Sequence, residues 1–512
     1  MQQSAPETVQ HEVAAFLGDP RSHGGVTVER VETHAALVFL AGARTYKLKR
    51  AVRYPYLDYS TVEKRRAACE AEVALNRRTA PTLYLDVTPV VRRPGGGLAL
   101  GGEGAVLDWV VEMRRFPTDA LFDRMAERGA LSDVLMRALA DVVAAFHKAA
   151  EPRPTGGGAA AMRAVVNGSV AELRERPALF APERVERLAD LSAKALERLA
   201  PLMEERRKGG FVRHCHGDLH LRNIVLLDGK PTLFDGIEFD ESFAVIDVVY
   251  DLAFLLMDLE RRGLRPFGNT VLNRWTEETG DIGGLALLPL FLSARAAIRA
   301  KIAAATSAFQ KDPAETARLE REAVAYLDQA IAALEPPPAR LVAIGGLSGT
   351  GKSLLARGLA PMLGPAPGAM VLRSDVMRKR LFGVAETERL PPEAYDQSVT
   401  ARIYAHMVEQ ARAILKAGNA VVVDAVHARP EERAAIAAVA CDTGVRFDGL
   451  WLEAPLGTRI ARVTSRRSDA SDATADVAKR QESYDVGSLD WLRVDAGRDA
   501  GETLAAMLER LA

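Results

Sequence analysis

At 512 residues the chain is too long for one hydrophobic core, and typical domain sizes predict two to four domains. The apolar fraction of 48% and charged fraction of 26% are those of an ordinary soluble globular protein, and 67 basic against 68 acidic residues leave a net charge of −1. That balance withholds a global positive field for gripping nucleic acid, though a local basic groove stays open. Cys69, Cys215 and Cys441 are odd in number and far apart, which excludes a disulfide framework or a cysteine zinc pattern and suits a reducing compartment. The opening MQQSAPETVQHEV has no apolar signal core. The longest apolar stretch, Ile282 to Ile298, holds Pro289 and Arg295 and predicts a buried helix. A cytoplasmic protein outside the membrane is expected; the oligomeric state is left open.

In chain order, residues 1–120 are rich in strand and turn signals. HAALVFLAGARTYKLKR predicts a hairpin turning at Ala41-Gly42-Ala43. From about Leu131 to Ala200 the pattern is helical, broken by TGGGAAA. Then comes RHCHGDLHLRNIVLLDGKPTLFDGIEFD, residues 213–240. His214, His216 and His220 alternate with other residues and would share one face of a strand, as metal ligands could. No completed ligand set follows them. The alternative reading explains more. His216-x-Asp218-x-x-x-x-Asn223 has the spacing of the protein-kinase loop H-R-D-x-x-x-x-N, with Asp218 as acceptor of a substrate hydroxyl proton and Asn223 as a Mg²⁺ ligand. IVLLDGKPTLFD predicts a hairpin turning at Asp228-Gly229, which delivers Asp235 as the second Mg²⁺ ligand. His214 and His220 are then packing or hydrogen-bonding residues.

HGDLHLRN followed by LFDGIEFD resembles the signature of the aminoglycoside phosphotransferase family, compact relatives of protein kinases that phosphorylate small-molecule hydroxyls. The resemblance spans roughly residues 25–330. It implies an α+β, protein-kinase-like domain of two lobes, with the family's base at Asp218 and its Mg²⁺ ligands at Asn223 and Asp235. IDVVYDLAFLLMDL resembles the family's next segment, in which an aspartate placed like Asp251 is structural. The small lobe should then supply a lysine for the ATP α- and β-phosphates. Lys47 and Lys49 face the same way. Thr45, two before Lys47, is the smaller residue at the adenine, so Lys47 is preferred, although an exposed edge lysine is the plain alternative for either. Its partner is Glu70 or Glu72 in the helix STVEKRRAACEAEVALNRRT, with Glu70 favoured. The G-x-G-x-x-G loop of protein kinases is missing, and the hairpin at Ala41–Ala43 would have to cover the phosphates.

A helical pattern ends at Glu335, and Pro336, Pro337 and Pro338 stiffen a joint. The expected organisation is a kinase-like domain at 1–335 (small lobe to about 120, large lobe from 121), a linker at 336–340 and a second domain at 341–512. Short strands LVAIGG, MVLRS, AVVVDAV, DGLWLEA and WLRVDA alternate with helices there, predicting an α/β domain with a parallel sheet covered on both faces.

GLSGTGKS, Gly346 to Ser353, matches the phosphate-binding G-x-x-x-x-G-K-[ST] between a strand and a helix. Gly346, Ser348, Gly349, Thr350 and Gly351 would curl backbone N–H groups around phosphate, Lys352 would reach the β- and γ-phosphates, and Ser353 would hold Mg²⁺. Asp375 follows the second strand and could take a proton from a hydroxyl, with Arg378 clamping an anionic group; a helix cap is the plainer role for Asp375. Asp424 ends an apolar strand, where a Mg²⁺-orienting carboxylate belongs. Arg459, Arg462, Arg466 and Arg467 precede a small, polar, mobile-looking segment and could close over ATP, or form a solvated basic face. This half, about 340–512, resembles the P-loop small-molecule and polynucleotide kinases, including zeta-toxin-like and gluconate-kinase-like proteins. That resemblance implies base and clamp roles for Asp375 and Arg378.

The expectation is an ATP- and Mg²⁺-dependent phosphotransferase with two kinase-like domains acting on a small-molecule hydroxyl. One half as a nucleotide sensor, or the second half as a polynucleotide 5′-hydroxyl kinase, are the alternatives. The near-neutral charge argues against nucleic acid as a partner.

Overall fold

The computed structural model describes residues 5–33, 35–54, 57–465 and 470–511. The chain divides into two compact units, Met1–Arg163 with Ala200–Asp258, and Ala164–Leu199 with Leu259–Ala512.

The first unit contains a six-stranded antiparallel sheet in the order Val28–Glu32, Ala36–Ala41, Arg44–Lys49, Ala105–Arg114, Tyr84–Arg92, Leu98–Leu100. The expected hairpin forms, with Gly42 and Ala43 as a two-residue turn between paired Ala41 and Arg44. Alternation decides the two faces. Leu37, Phe39, Tyr46 and Leu48 pack with Val13 and Leu17 of the helix Ala5–Gly18. The other face meets the helix Val62–Asn76, whose Cys69 and Val73 pack with Leu83, Tyr84, Val111 and Met113. Thr61 caps that helix, its hydroxyl accepting from Lys64 N at 3.3 Å. Further along, Val212–His214 pairs with Val245–Asp247. Ile224–Leu227 pairs with Lys230–Leu233 across Asp228 (φ 50°) and Gly229 (φ 77°), the backbone a tight hairpin requires. This is the expected α+β arrangement.

The second unit holds a five-stranded, all-parallel sheet in the order Met370–Arg373, Val421–Asp424, Arg340–Gly346, Arg446–Glu453, Leu492–Asp495. Helices Lys352–Leu359, Gln397–Lys416, Pro430–Thr443 and Ala500–Leu511 alternate with these strands along the chain. The run Val421–Val423 is buried throughout, as a strand covered on both faces must be. Val342, Ile344, Leu355, Leu359, Val422, Leu452 and Met507 share one core.

Met370–Arg373 is an edge strand, and its free backbone groups need partners. The helix Arg265–Thr279 supplies them. Asn273 Oδ1 accepts from Val371 N at 2.7 Å, and the amide nitrogens of Asn269 and Asn273 donate to Ala369 O at 3.0 and 3.2 Å. Gly268 lies so close to Pro367 that a Cβ would meet its Cβ at 3.2 Å. Replacing Asn273 by alanine would orphan Val371 N–H and is expected to cost about 1–3 kcal/mol. Faster hydrogen exchange at Val371 would accompany the loss; unchanged exchange would refute the edge-cover role. No helix among the described residues is long and apolar enough to cross a membrane.

Candidate active sites

In the first unit, Asp251 organises the loop that begins at Cys215. Its two oxygens accept from His216 N at 3.1 Å and Gly217 N at 2.9 Å, and His147 Nε2 lies 3.1 Å away. Gly217 (φ 83°) has no room for a side chain, since a Cβ would stand 2.9 Å from Phe243 O. Leu221 N donates to Asp258 at 3.0 Å, which fixes the turn Leu221–Asn223. The three histidines do not converge. His216 Nε2 faces Phe234 O at 2.9 Å, while its Nδ1 accepts from Asp218 N at 3.3 Å. Burial lowers its pKa, so the ring is the neutral tautomer those bonds require. His220 Nδ1 accepts from Arg222 N at 3.2 Å, and its Nε2 lies 3.3 Å from Asp218 Oδ2. His214 stands on the strand paired with Val245.

Asn223 Nδ2 donates to Asp218 Oδ2 at 2.8 Å and Asp218 O at 2.9 Å, which leaves the amide oxygen as the atom available to a cation. The hairpin after Asn223 returns the chain to Asp235, which takes a left-handed φ of 60°. Asp235 N donates to the Tyr84 hydroxyl at 3.1 Å, and Gly236 N to Asn76 Oδ1 at 2.8 Å; these bonds hold the turn. Lys47 Nζ reaches Asp235 Oδ1 at 2.7 Å and Glu72 Oε1 at 2.8 Å. Lys49 pairs with the other Glu72 oxygen and with Glu238, and lies over the Tyr59 ring. Burial works against the Lys47 ammonium, but Asp235 and Glu72 outweigh it and hold its pKa well above the usual range. Burial likewise opposes the Glu72 carboxylate, yet the two lysines pull its pKa down to about 2.

The expected partner Glu70 is corrected by this geometry. It is 52% exposed and pairs with Arg66 on the outer face. Residues two apart on a helix point about 200° apart, so only one of Glu70 and Glu72 can face inward. The buried set Arg65, Cys69, Glu72, Val73, Asn76 marks the inward face. That spacing was a signal available in the sequence. Asn76, Tyr84 and Glu238 were not singled out there; only Glu238, an acid within the apolar GIEF, stands out on inspection.

In the second unit the phosphate-loop residues sit at the carboxyl ends of the parallel strands. Gly349 (φ 89°) is packed so closely that a Cβ would stand 2.6 Å from Arg459 O. Gly346 N donates to Val426 O at 3.1 Å, Ser348 N to Gln481 Oε1 at 2.6 Å, and Thr350 Oγ1 to Leu347 O at 2.8 Å. The helix Lys352–Leu359 follows Gly351, and Lys352 Nζ lies 3.3 Å from Leu347 O. Asp424 is paired in register with Ile344 on one side and Arg373 on the other. Arg373, which sequence reasoning missed, lies between Ser353 Oγ (3.2 Å) and Asp424 Oδ2 (3.4 Å). Asp375 is the second residue of the helix Ser374–Leu381 rather than its cap. Burial, then the Asp424 charge, raises its pKa against the opposing pull of Arg373 and Lys352. That shift moves a carboxylate toward the range of an effective base. Arg378 Nη1 donates to Ala394 O at 2.5 Å beneath the Tyr395 ring, and its buried Nε finds no partner among the described residues.

Of the arginines expected to close over ATP, the two described ones are held by backbone carbonyls. Arg459 is buried and donates to Ser348 O at 3.0 Å and Ala478 O at 2.7 Å, besides pairing with Glu482. Arg462 serves the carbonyls of Ala496 (2.8 Å), Arg498 (3.1 Å) and Thr350 (3.4 Å). Both satisfy backbone oxygens around the phosphate loop and position it. Arg466 and Arg467 lie outside the described residues. The polar segment beyond is tied down at Asp472, which accepts from Lys379 Nζ at 2.8 Å, Tyr395 OH at 2.6 Å and Leu390 N at 3.0 Å.

His427 follows Asp424 by three residues and was also missed. Its ring sits edge-on to Tyr404 (5.4 Å) and Trp491 (5.2 Å), and neither nitrogen finds a partner among the described residues. Burial, then the charges of Lys352 and Arg433, push its pKa down to about 3. Below pH about 6.5 the unfolded chain therefore takes up a proton that the folded chain refuses, so stability falls as pH falls toward 3. At pH 5 this amounts to about 2 kcal/mol relative to neutral pH. Denaturant unfolding of His427→Phe at pH 7.5 and 5 should show that acid loss removed; an unchanged acid loss would refute the assignment.

Fold and sites together define two kinase-like halves, and comparison with known proteins agrees. The model of the phosphotransferase enzyme family matches residues 42–288, and that of an AAA domain matches residues 341–484. Over 468 residues the chain is 31% identical to uncharacterized proteins of Mycobacterium tuberculosis and Mycobacterium bovis, covering 89% of this chain and 90% of each relative. The chain belongs to the same family as these mycobacterial proteins, and at the general level it is a phosphotransferase built of two kinase-like domains. Among solved structures, the Mycobacterium tuberculosis APS kinase is 23% identical and covers 34% of this chain and 98% of its own (TM-score 0.26). An amicoumacin kinase is 14% identical and covers 63% of this chain and 93% of its own (TM-score 0.38).

Proposed function

We propose that both halves transfer the γ-phosphoryl of ATP to a hydroxyl of a small molecule, a sugar, an aminoglycoside or another metabolite. In the first half Asp218 takes the hydroxyl proton, Lys47 braced by Glu72 meets the α- and β-phosphates, and Asn223 with Asp235 holds Mg²⁺. In the second half Asp375 is the base, Arg378 meets the acceptor, residues 346–352 cradle the phosphates, and Ser353 with Asp424 holds Mg²⁺. When bound, the metal neutralises charge on the phosphates. Donors that are all oxygen suit Mg²⁺, and a cationic Arg373 resting against Ser353 and Asp424 supports a cation position there.

The observation that carries this reading is the contact of Lys47 with Asp235 across 188 positions of sequence, in a cluster that also holds Glu72. We take 1–335 and 341–512 as the two catalytic modules, a division supported by family matches that fall on either side of the proline joint. A cytoplasmic location is supported by three free cysteines, Cys69 and Cys215 buried and Cys441 exposed.

The test is ATP consumption by wild type, Asp218→Asn and Lys352→Ala, with mass spectrometry on pooled sugars, aminoglycosides, nucleosides and 5′-hydroxyl oligonucleotides. Products lost separately in the two variants are expected. ATP turnover with no phosphorylated acceptor, stopped by Lys352→Ala alone, would replace this reading by a sensor role for the first half. A phosphorylated oligonucleotide lost in Lys352→Ala would make the second half a polynucleotide kinase.

A further inference from the structure

Arg373 ends the edge strand Met370–Arg373 and is register partner of Asp424. Its side chain is only 10% exposed. The guanidinium uses Nη2 toward Ser353 Oγ at 3.2 Å and Nε toward Asp424 Oδ2 at 3.4 Å. These are the two oxygens assigned above to the metal. We propose that Arg373 is the resident counter-cation of this site: it stands in the metal position when no nucleotide is bound and vacates it when metal and nucleotide enter together. The inference rests on the proposed metal role of Ser353 and Asp424 and adds to it a residue that controls how that metal is admitted.

Three physical points support it. Asp424 is 4% exposed, and a carboxylate so buried is costly unless a cation faces it. A metal site that empties between turnovers therefore needs a substitute charge, and Arg373 supplies one from the neighbouring strand. Second, a guanidinium and a divalent cation facing the same two oxygens repel each other, so the two cannot share them. Third, the arginine is braced from behind. Val371, two residues earlier on its strand, is fixed by Asn273, so the backbone stays put and the side chain alone must move. Metal alone must displace the arginine without compensation. Metal arriving with a nucleotide brings phosphate charge that can receive the displaced guanidinium. The site should thus bind bare metal weakly and metal–nucleotide well.

The experiment uses Mn²⁺ as an EPR-visible substitute for Mg²⁺, with the full chain carrying Asp235→Asn to silence the first half. Titrations are run without nucleotide and with non-hydrolysable AMP-PNP. Removing the charge with Arg373→Gln should tighten Mn²⁺ alone by roughly tenfold or more while changing Mn²⁺ with AMP-PNP much less. Arg373→Lys keeps the charge and should retain the weak binding of bare Mn²⁺. It also separates charge from any general disturbance of the fold. Adding Asp424→Asn should abolish the gained binding. If Mn²⁺ with AMP-PNP binds in an Asp424-dependent way but Arg373→Gln leaves bare Mn²⁺ binding unchanged or weaker, the counter-cation role is overturned and the metal assignment stands. If no Asp424-dependent Mn²⁺ binds even with AMP-PNP, the metal assignment falls and this inference with it.

Discussion

Asp218→Asn is expected to lower the rate of product formation by the first half about 10²–10⁴-fold, the usual cost of losing a general base. Asp218 is suited to such a role because its carboxylate is both positioned and reachable. Asn223 Nδ2 holds it at 2.8 Å, and the side chain is 35% exposed. Asparagine keeps nearly the same shape and can still accept from Asn223, so the loop that Asp251 organises should stay intact. ATP affinity by calorimetry and the melting temperature should therefore change little while turnover collapses. A large drop in melting temperature would show that Asp218 is structural; unchanged turnover would show that another group takes the proton.

Glu72→Ala should have the largest effect on stability. Glu72 is wholly buried and, among the described residues, is the one carboxylate paired with both Lys47 and Lys49. Removing it leaves the buried Lys49 ammonium and the largely covered Lys47 ammonium with Glu238 and Asp235, respectively, as their carboxylate partners among the described residues. Breaking a buried pair in this way costs about 3–5 kcal/mol, against about 1 kcal/mol or less for the exposed Glu70–Arg66 pair. Hydrogen exchange on the strand Arg44–Lys49 would read the first unit separately from the second. Glu70→Ala is the control, and an equal effect of the two changes would overturn the assignment of Glu72. The pH dependence follows from the same pair. With a folded pKa near 2, below its ordinary 4.5, Glu72 contributes stability that is fully present above about pH 4.5 and is lost as pH falls toward 2. The loss is of order 3 kcal/mol, and Glu72→Gln should flatten that part of the acid profile.

The parts of both sites that were legible in the sequence share one property: their spacing is set by local backbone. Asp218 and Asn223 belong to one loop, Asp235 follows one hairpin, and Gly346–Ser353 is one strand-to-helix turn. Each local geometry dictates its own residue types, so the residues betray it. The helix Val62–Asn76 was only half legible. Its hydrophobic pattern predicts a helix, but the choice of Glu72 over Glu70 depends on which face the sheet covers. The setting of Arg462 was not legible, because a helical row of arginines looks alike whether it faces phosphate or backbone carbonyl. Only the fold brings the carbonyls of Ala496 and Arg498 to its guanidinium.

By itself, then, the sequence determined the two kinase-like halves, the phosphate loop and the short-range ligand pairs, because periodicity and turn chemistry act over a few residues. Tertiary structure alone decided the partnerships between distant segments: Lys47 with Asp235, Tyr84 beneath the Asp235 turn, Arg373 beside Asp424, and Asn273 on the backbone of Val371. Each of these holds a polar group drawn partly or wholly out of water, whose cost is offset by a partner that the fold brings from elsewhere in the chain. That compensation leaves no local pattern from which it could have been read.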